Sequence, residues 1–137
     1  MKIIKREILI QAPPARVWDH ITDPNKIAGW LMPNDFEAAP GKAFSLECRD
    51  TGTISCVVKE IVPHQKLIYS FHSKLTKVET LVTFTLTPEG GGTRVTIIHS
   101  GWEALPPEEH GVSDNFGEGW GGALKQLEAQ IGAVKAR

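Results

Sequence analysis

The sequence predicts an α+β domain in which a curved antiparallel sheet of about six strands wraps round a long C-terminal helix. Between residues 43 and 100 apolar and polar side chains alternate with period two in segments divided by short turn signals. Beyond them Trp120, Leu124, Leu127 and Ile131 repeat at helical spacing, with Lys125, Gln126 and Glu128 off the stripe. A helical stripe must be covered, and the inner face of the sheet is the large apolar surface on offer.

The elements follow in order. Residues 2 to 10 read as a strand, with Ile4, Ile8 and Ile10 on one parity and Lys5 and Glu7 on the other. Pro14 starts a short helix through Val17, Trp18 and Ile21, and Asp23 has the chemistry to cap a second that begins at Pro24 and runs toward Trp30. Phe44, Leu46 and Cys48 form the inner face of one strand, and Ile54, Cys56 and Val58 that of the next, across Asp50-Thr51-Gly52. Leu67, Tyr69 and Phe71 follow Pro63-His64; Val82, Phe84 and Leu86 follow the polar SKLTK; Val95, Ile97 and His99 follow Gly90-Gly91-Gly92. Residues 112 to 135 read as one amphipathic helix. A sheet edge is expected near residues 72 to 80, where Lys74 and Lys77 discourage pairing.

At 137 residues the chain fits one domain, 1–137. Fifteen basic and sixteen acidic side chains leave a net charge of −1, so no whole-chain field attracts nucleic acid or an anionic membrane. Basic residues are not interleaved with aromatics on one face, which argues further against nucleic acid. No stretch approaches the roughly 20 apolar residues of a membrane span, and MKIIKREILI lacks the apolar run of a signal sequence, so the expected location is cytoplasmic. Cys48 and Cys56 are too few for a disulfide framework and read as small core residues, with a redox pair the sharper alternative if their hairpin puts them on one face. His20, His64, His72 and His110 are scattered, no metal site is expected, and Glu108-Glu109-His110 with Asp114 reads as solvated loop charge. No cofactor motif is present: Gly90-Gly91-Gly92 lacks the ending of a phosphate loop, and Ser100 lacks a nucleophile elbow.

The order of elements resembles the START-like, or SRPBCC, superfamily with its helix-grip fold. The local wording is similar to one branch, bacterial proteins like the C-terminal domain of the activator of heat-shock-protein-90 ATPase. Residues carrying the likeness are Ala12-Pro13 with Val17-Trp18, Thr22-Asp23-Pro24 leading to Trp30, Pro40-Gly41 before Phe44, and Glu60-Ile61 with Pro63 and Leu67. Gly92-Thr93 with Val95-Thr96, His99-Ser100-Gly101, and Gly119-Trp120 ahead of Leu124 and Leu127 complete it. The resemblance implies a cavity between sheet and helix. It does not choose among the superfamily's lipid carriers, receptors and cyclases. Two departures, Gly41-Lys42 after Pro40 and Pro106-Pro107-Glu108-Glu109 before the last helix, touch the rim of that cavity.

Candidate ligand-binding residues are those expected to line it: Trp30, Phe44, Tyr69, Phe71, Phe84, His99, Trp102, Phe116 and Trp120. The same residue types also make ordinary core. Trp30, Trp102 and Trp120 each adjoin a glycine near an element end, where an indole offers its body to a ligand and its N–H to water. His99 points inward, and burial tilts it toward neutral imidazole, which either orients a ligand or bonds a buried backbone group. Gly117, Gly119, Gly121 and Gly122 cluster in the last helix, each at a cost of roughly 0.8–1 kcal/mol against alanine. Either the first turn is irregular, or the helix lies so close to the sheet that no Cβ fits, or its end opens as a lid over residues 100 to 122.

Three functions follow. The favoured one is binding of an apolar small molecule or lipid-like ligand. A cyclase or hydratase using His99 and Tyr69 is the second; no catalytic pair in mutual reach is evident. The third, a protein-interaction domain that modulates a chaperone ATPase, rests on the resemblance alone.

Overall fold

A computed structural model of the chain describes residues 3–48, 52–73, 78–102 and 111–135, with side chains in the last segment described for 116–132. Strand β1 (Ile4–Ile10) leads into helices α1 (Pro14–Thr22) and α2 (Pro24–Trp30). Strands β2 (Ala43–Cys48), β3 (Gly52–Val62), β4 (Lys66–Phe71), β5 (Thr80–Glu89) and β6 (Gly92–Ser100) then precede helix α3 (Gly111–Lys135). Every paired neighbour is antiparallel, in the order β1-β6-β5-β4-β3-β2. The chain therefore meanders from β2 to β6 and closes by laying β6 beside β1.

Local chemistry explains the joints. Pro14 and Pro24 each open a helix, and Asp23 accepts a hydrogen bond from the Asn25 N–H at 2.9 Å, so one residue ends α1 and caps α2. Between β5 and β6 the chain reverses over Gly90 and Gly91, whose φ values of 57° and 84° suit the tight two-residue hairpin that glycine favours. A bulge between Val58 and Glu60 shifts the β3–β4 register.

The inner face is the core. Phe44, Leu46, Ile54, Cys56, Val58, Leu67, Tyr69, Phe71, Val82, Phe84, Leu86, Val95 and Ile97 are buried there, and Leu124, Leu127 and Ile131 of α3 are buried with them. Helix α3 packs against β1, α1 and α2. Arg16 of α1 donates to the Ile131 carbonyl at 3.2 Å, and Gln130 donates to the Lys26 carbonyl at 3.1 Å.

Two expectations need correction. The strand edges are β1 and β2, and residues 72 to 80 join two interior strands, because β4 and β5 pair with each other as well as outward. Edge strand β2 is covered by the chain that precedes it: Glu47 N–H donates to the Pro33 carbonyl at 2.9 Å and Ser45 N–H to the Asp35 carboxylate at 2.6 Å. Lys74 and Lys77 lie outside the described residues. The cysteines share a face, but Cys48 pairs with Gly52 and Cys56 with Phe44, four positions along the ladder, too far for a disulfide. Burial, helped by the charge of Asp35, pushes the Cys56 thiol up to about 12 and leaves it an inert core group.

Candidate functional site

A cleft of about 420 Å³ opens between the C-terminal end of α2 and the N-terminal half of α3. Trp30, Leu31 and Met32 form one wall, Cys48 and Phe71 at the ends of β2 and β4 the floor, and Phe116, Gly119, Trp120, Ala123 and Gln126 the other wall. The α3 contribution repeats at helical spacing beside the core stripe, so one flank of the same helix serves the cleft while the other serves the core. At Gly119 an added Cβ would meet nothing within 4 Å, which is the helix surface left open to the cleft.

Four of the residues expected to bind a ligand are thus brought together: Trp30, Phe71, Phe116 and Trp120. Phe71 and Phe116 meet at right angles with centroids 5.4 Å apart, and Phe71 lies 6.3 Å from Trp120. Phe44, Tyr69 and Phe84 are placed deeper, with Phe36, around a void of only about 10 Å³, and there they pack on one another. Burial, with Cys56 beside it, holds the Tyr69 hydroxyl well above the usual tyrosine range, so it stays protonated.

His99 and Trp102 stand behind the cleft wall, both fully buried. An indole N–H only donates, so Trp120 donating to His99 Nδ1 at 3.0 Å leaves the proton of the neutral ring on Nε2. Nε2 then donates to Thr80 Oγ1 at 2.7 Å, and the Thr80 hydroxyl donates to the Phe71 carbonyl at 2.8 Å. Trp102 Nε1 donates to the His99 carbonyl at 3.0 Å. Burial lowers the His99 pKa to about 3, so the ring is neutral across the physiological range. Both its nitrogens are engaged, and the chain of bonds fastens Trp120 on α3 to Phe71 on β4, two residues of the cleft.

Trp30 is held in the same manner: its Nε1 donates to the His20 carbonyl at 2.7 Å, and its ring meets Phe84 edge-on at 6.2 Å. His20 Nδ1 lies 2.7 Å from Gln130 Nε2, which ties α1 and α2 to α3 below the cleft. Burial is the main cause lowering the His20 pKa, followed by the charge of Lys26.

Sequence reasoning missed Leu31, Met32, Cys48, Gly119, Ala123 and Gln126 as lining residues. For α3 the signal was present: Gly119 and Ala123 are small residues four apart, one position from Trp120 and Leu124. Close approach to the sheet does not account for the described glycines: at Gly117 a Cβ would stand at ordinary contact distance, 3.5 Å, from Ile4 Cγ2 on β1 and would shift only the flexible end of Arg6, and at Gly119, Gly121 and Gly122 it would meet nothing within 4 Å. An irregular first turn is not seen, since α3 is helical from Gly111. The lid expected over 100 to 122 falls largely on residues 103–115, which, with Glu108, Glu109, His110 and Asp114, lie outside the described residues or side chains. Among the described residues no group of three His, Cys, Asp or Glu side chains is placed to hold a metal ion.

The sequence pattern of the family described as "Activator of Hsp90 ATPase homolog 1-like protein" matches residues 11–132. The chain belongs to this family. Its fold is accordingly the START-like, helix-grip one. Among solved structures, protein MLL2253 from Mesorhizobium loti is similar at 29% identity and a TM-score of 0.87, over 96% of this chain and 98% of that one. Protein BH1534 from Bacillus halodurans is similar at 28% identity and a TM-score of 0.80, over 96% and 97%. At 17% identity the Aha1 dimer from Colwellia psychrerythraea shares the fold alone, with a TM-score of 0.78 over 96% of each chain. No curated protein matches the chain. Among the described residues no helix of this family member is long and apolar enough to cross a membrane.

Proposed function

We propose that this protein binds an apolar small molecule in the cleft between α2 and α3. The observation that carries this reading is the cleft itself: about 420 Å³, within the roughly 300–1,000 Å³ range of small-molecule sites, and walled by Trp30, Phe71, Phe116 and Trp120. The fold type of the family, a sheet gripping a helix over an apolar interior, supports it. Two aromatic walls are fixed in advance by buried hydrogen bonds, Trp30 to His20 and Trp120 to His99, so little side-chain order remains to be imposed on binding. Enzymatic use of His99 gains no support, because both its ring nitrogens are already engaged, by Trp120 and Thr80. The protein-interaction reading, a domain acting on a chaperone ATPase, draws only on the description of the family.

The test is a fluorescence titration with N-phenyl-1-naphthylamine, an uncharged apolar probe. Saturable binding at one site is expected in the wild type. Gly119→Phe adds a ring at a lining position where the Cβ meets nothing within 4 Å, and it should weaken binding by about 10-fold or more, the equivalent of roughly 1.4 kcal/mol, while leaving the fold intact by circular dichroism. Equal binding by the two proteins would place the ligand elsewhere.

A further inference from the structure

We infer that the cleft selects an uncharged aromatic ligand carrying one hydrogen-bonding group, which is recognised by the amide of Gln126. This rests on the cleft being a ligand site, as proposed above, and narrows what it takes. Among the described lining residues there is no Asp, Glu, Lys, Arg or His side chain. An ion entering such a wall sheds its hydration and gains no counter-charge, which is strongly unfavourable. The nearest buried imidazole, His99, offers nothing in return, since Trp120 and Thr80 hold its two nitrogens.

The hydrogen-bonding capacity of the wall is equally restricted. Both indole N–H groups that line it are spent on protein acceptors, Trp30 on the His20 carbonyl and Trp120 on His99 Nδ1. Gln126 is the lining residue with a carboxamide; it is exposed and makes no hydrogen bond within the described protein, unlike Gln130 one turn further on, which bonds to His20 and Lys26. A primary amide both donates and accepts, so it suits a hydroxyl, a carbonyl or an amide on a ligand whose rings fill the interior. The aromatic preference comes from Phe71, Phe116 and Trp120, whose rings are steeply inclined to one another, at 90° and 59°, and so present both faces and edges to an incoming ring.

Four molecules of one skeleton test this by calorimetric titration at neutral pH: naphthalene, 2-naphthol, 2-naphthoate and decahydro-2-naphthol. The expected order is 2-naphthol tightest, naphthalene and decahydro-2-naphthol each weaker by about 2- to 10-fold, and 2-naphthoate weaker by about 10-fold or more. In Gln126→Leu, an exposed position whose change leaves the core untouched, the advantage of 2-naphthol over naphthalene should disappear while naphthalene binding persists. If 2-naphthoate binds as tightly as 2-naphthol, or decahydro-2-naphthol binds as tightly as its aromatic counterpart, the ligand class is wrong although the cleft remains a site. If Gln126→Leu keeps the preference for 2-naphthol, the role of the amide is wrong. If the wild type takes up N-phenyl-1-naphthylamine but none of the four, the ligand class is wrong; if it binds none of the five, the cleft reading falls with it.

Discussion

His99 shows how one buried ring is put to structural use. Its neutral form is required on both sides, accepting from Trp120 and donating to Thr80, and a second proton would set two N–H groups against each other at Nδ1. Burial holds its pKa in the folded protein down at about 3, whereas the unfolded chain takes up a proton near 6.5. The unfolded state binds more protons between those values, so stability is fully present above 6.5 and falls as the pH drops toward 3, by about 1.4 kcal/mol per pH unit for this group. His20, lowered in the same direction, adds to the loss. Denaturant unfolding as a function of pH should show this slope in the wild type and a shallower one in His99→Gln; identical slopes would remove His99 from the account.

Thr80, the next residue of that chain, is buried and both receives from His99 and donates to Phe71. Thr80→Val conserves shape and strands a buried donor and a buried acceptor together. A loss of about 1–3 kcal/mol in chemical denaturation is expected.

At the scale of elements, the glycines divide by what surrounds them. Gly122 in α3 is exposed, and a Cβ there meets nothing within 4 Å, so Gly122→Ala should stabilise the protein by about 0.8–1 kcal/mol. At the start of β6 the opposite holds, because a Cβ on Gly92 would stand 2.6 Å from the backbone oxygen of Ile10. Gly92→Ala should lower the melting temperature, and a rise there would contradict the packing of β1 on β6. Both variants are read by thermal denaturation.

The sequence made the elements legible wherever one period dominated a segment. Phe44-Leu46-Cys48 and Val82-Phe84-Leu86 alternate without interruption and became β2 and β5, and Asp23-Pro24 marked the junction of α1 and α2 to the residue. Strand neighbours were less legible. The sequence reading puts a sheet edge near residues 72 to 80, yet β4 and β5 on either side of that stretch are interior strands, and the covering of β2 by residues 33–35 depends on contacts that no local pattern encodes.

For the molecule as a whole, the division between core and cleft was the part least visible in the sequence. Trp30, Phe71, Phe116 and Trp120 line open space, while Phe44, Tyr69 and Phe84 fill the interior, and the same side-chain types serve both. What separates them is distance from one end of the sheet: Phe71 ends β4 and Cys48 ends β2. The hydrogen bonds that tie Trp120 to Phe71 and Trp30 to α1 make that opening a fixed feature.

The most direct measurement is the spectrum of the four indole N–H groups during a titration with N-phenyl-1-naphthylamine. Trp30 and Trp120 line the cleft, whereas Trp18 lies away from it, its ring edge-on to His64 at 6.3 Å. The indole signals of Trp30 and Trp120 should move together and saturate, with Trp18 unmoved. Shifts confined to Trp18, or a bound probe that leaves Trp30 and Trp120 in place, would contradict a ligand site between α2 and α3.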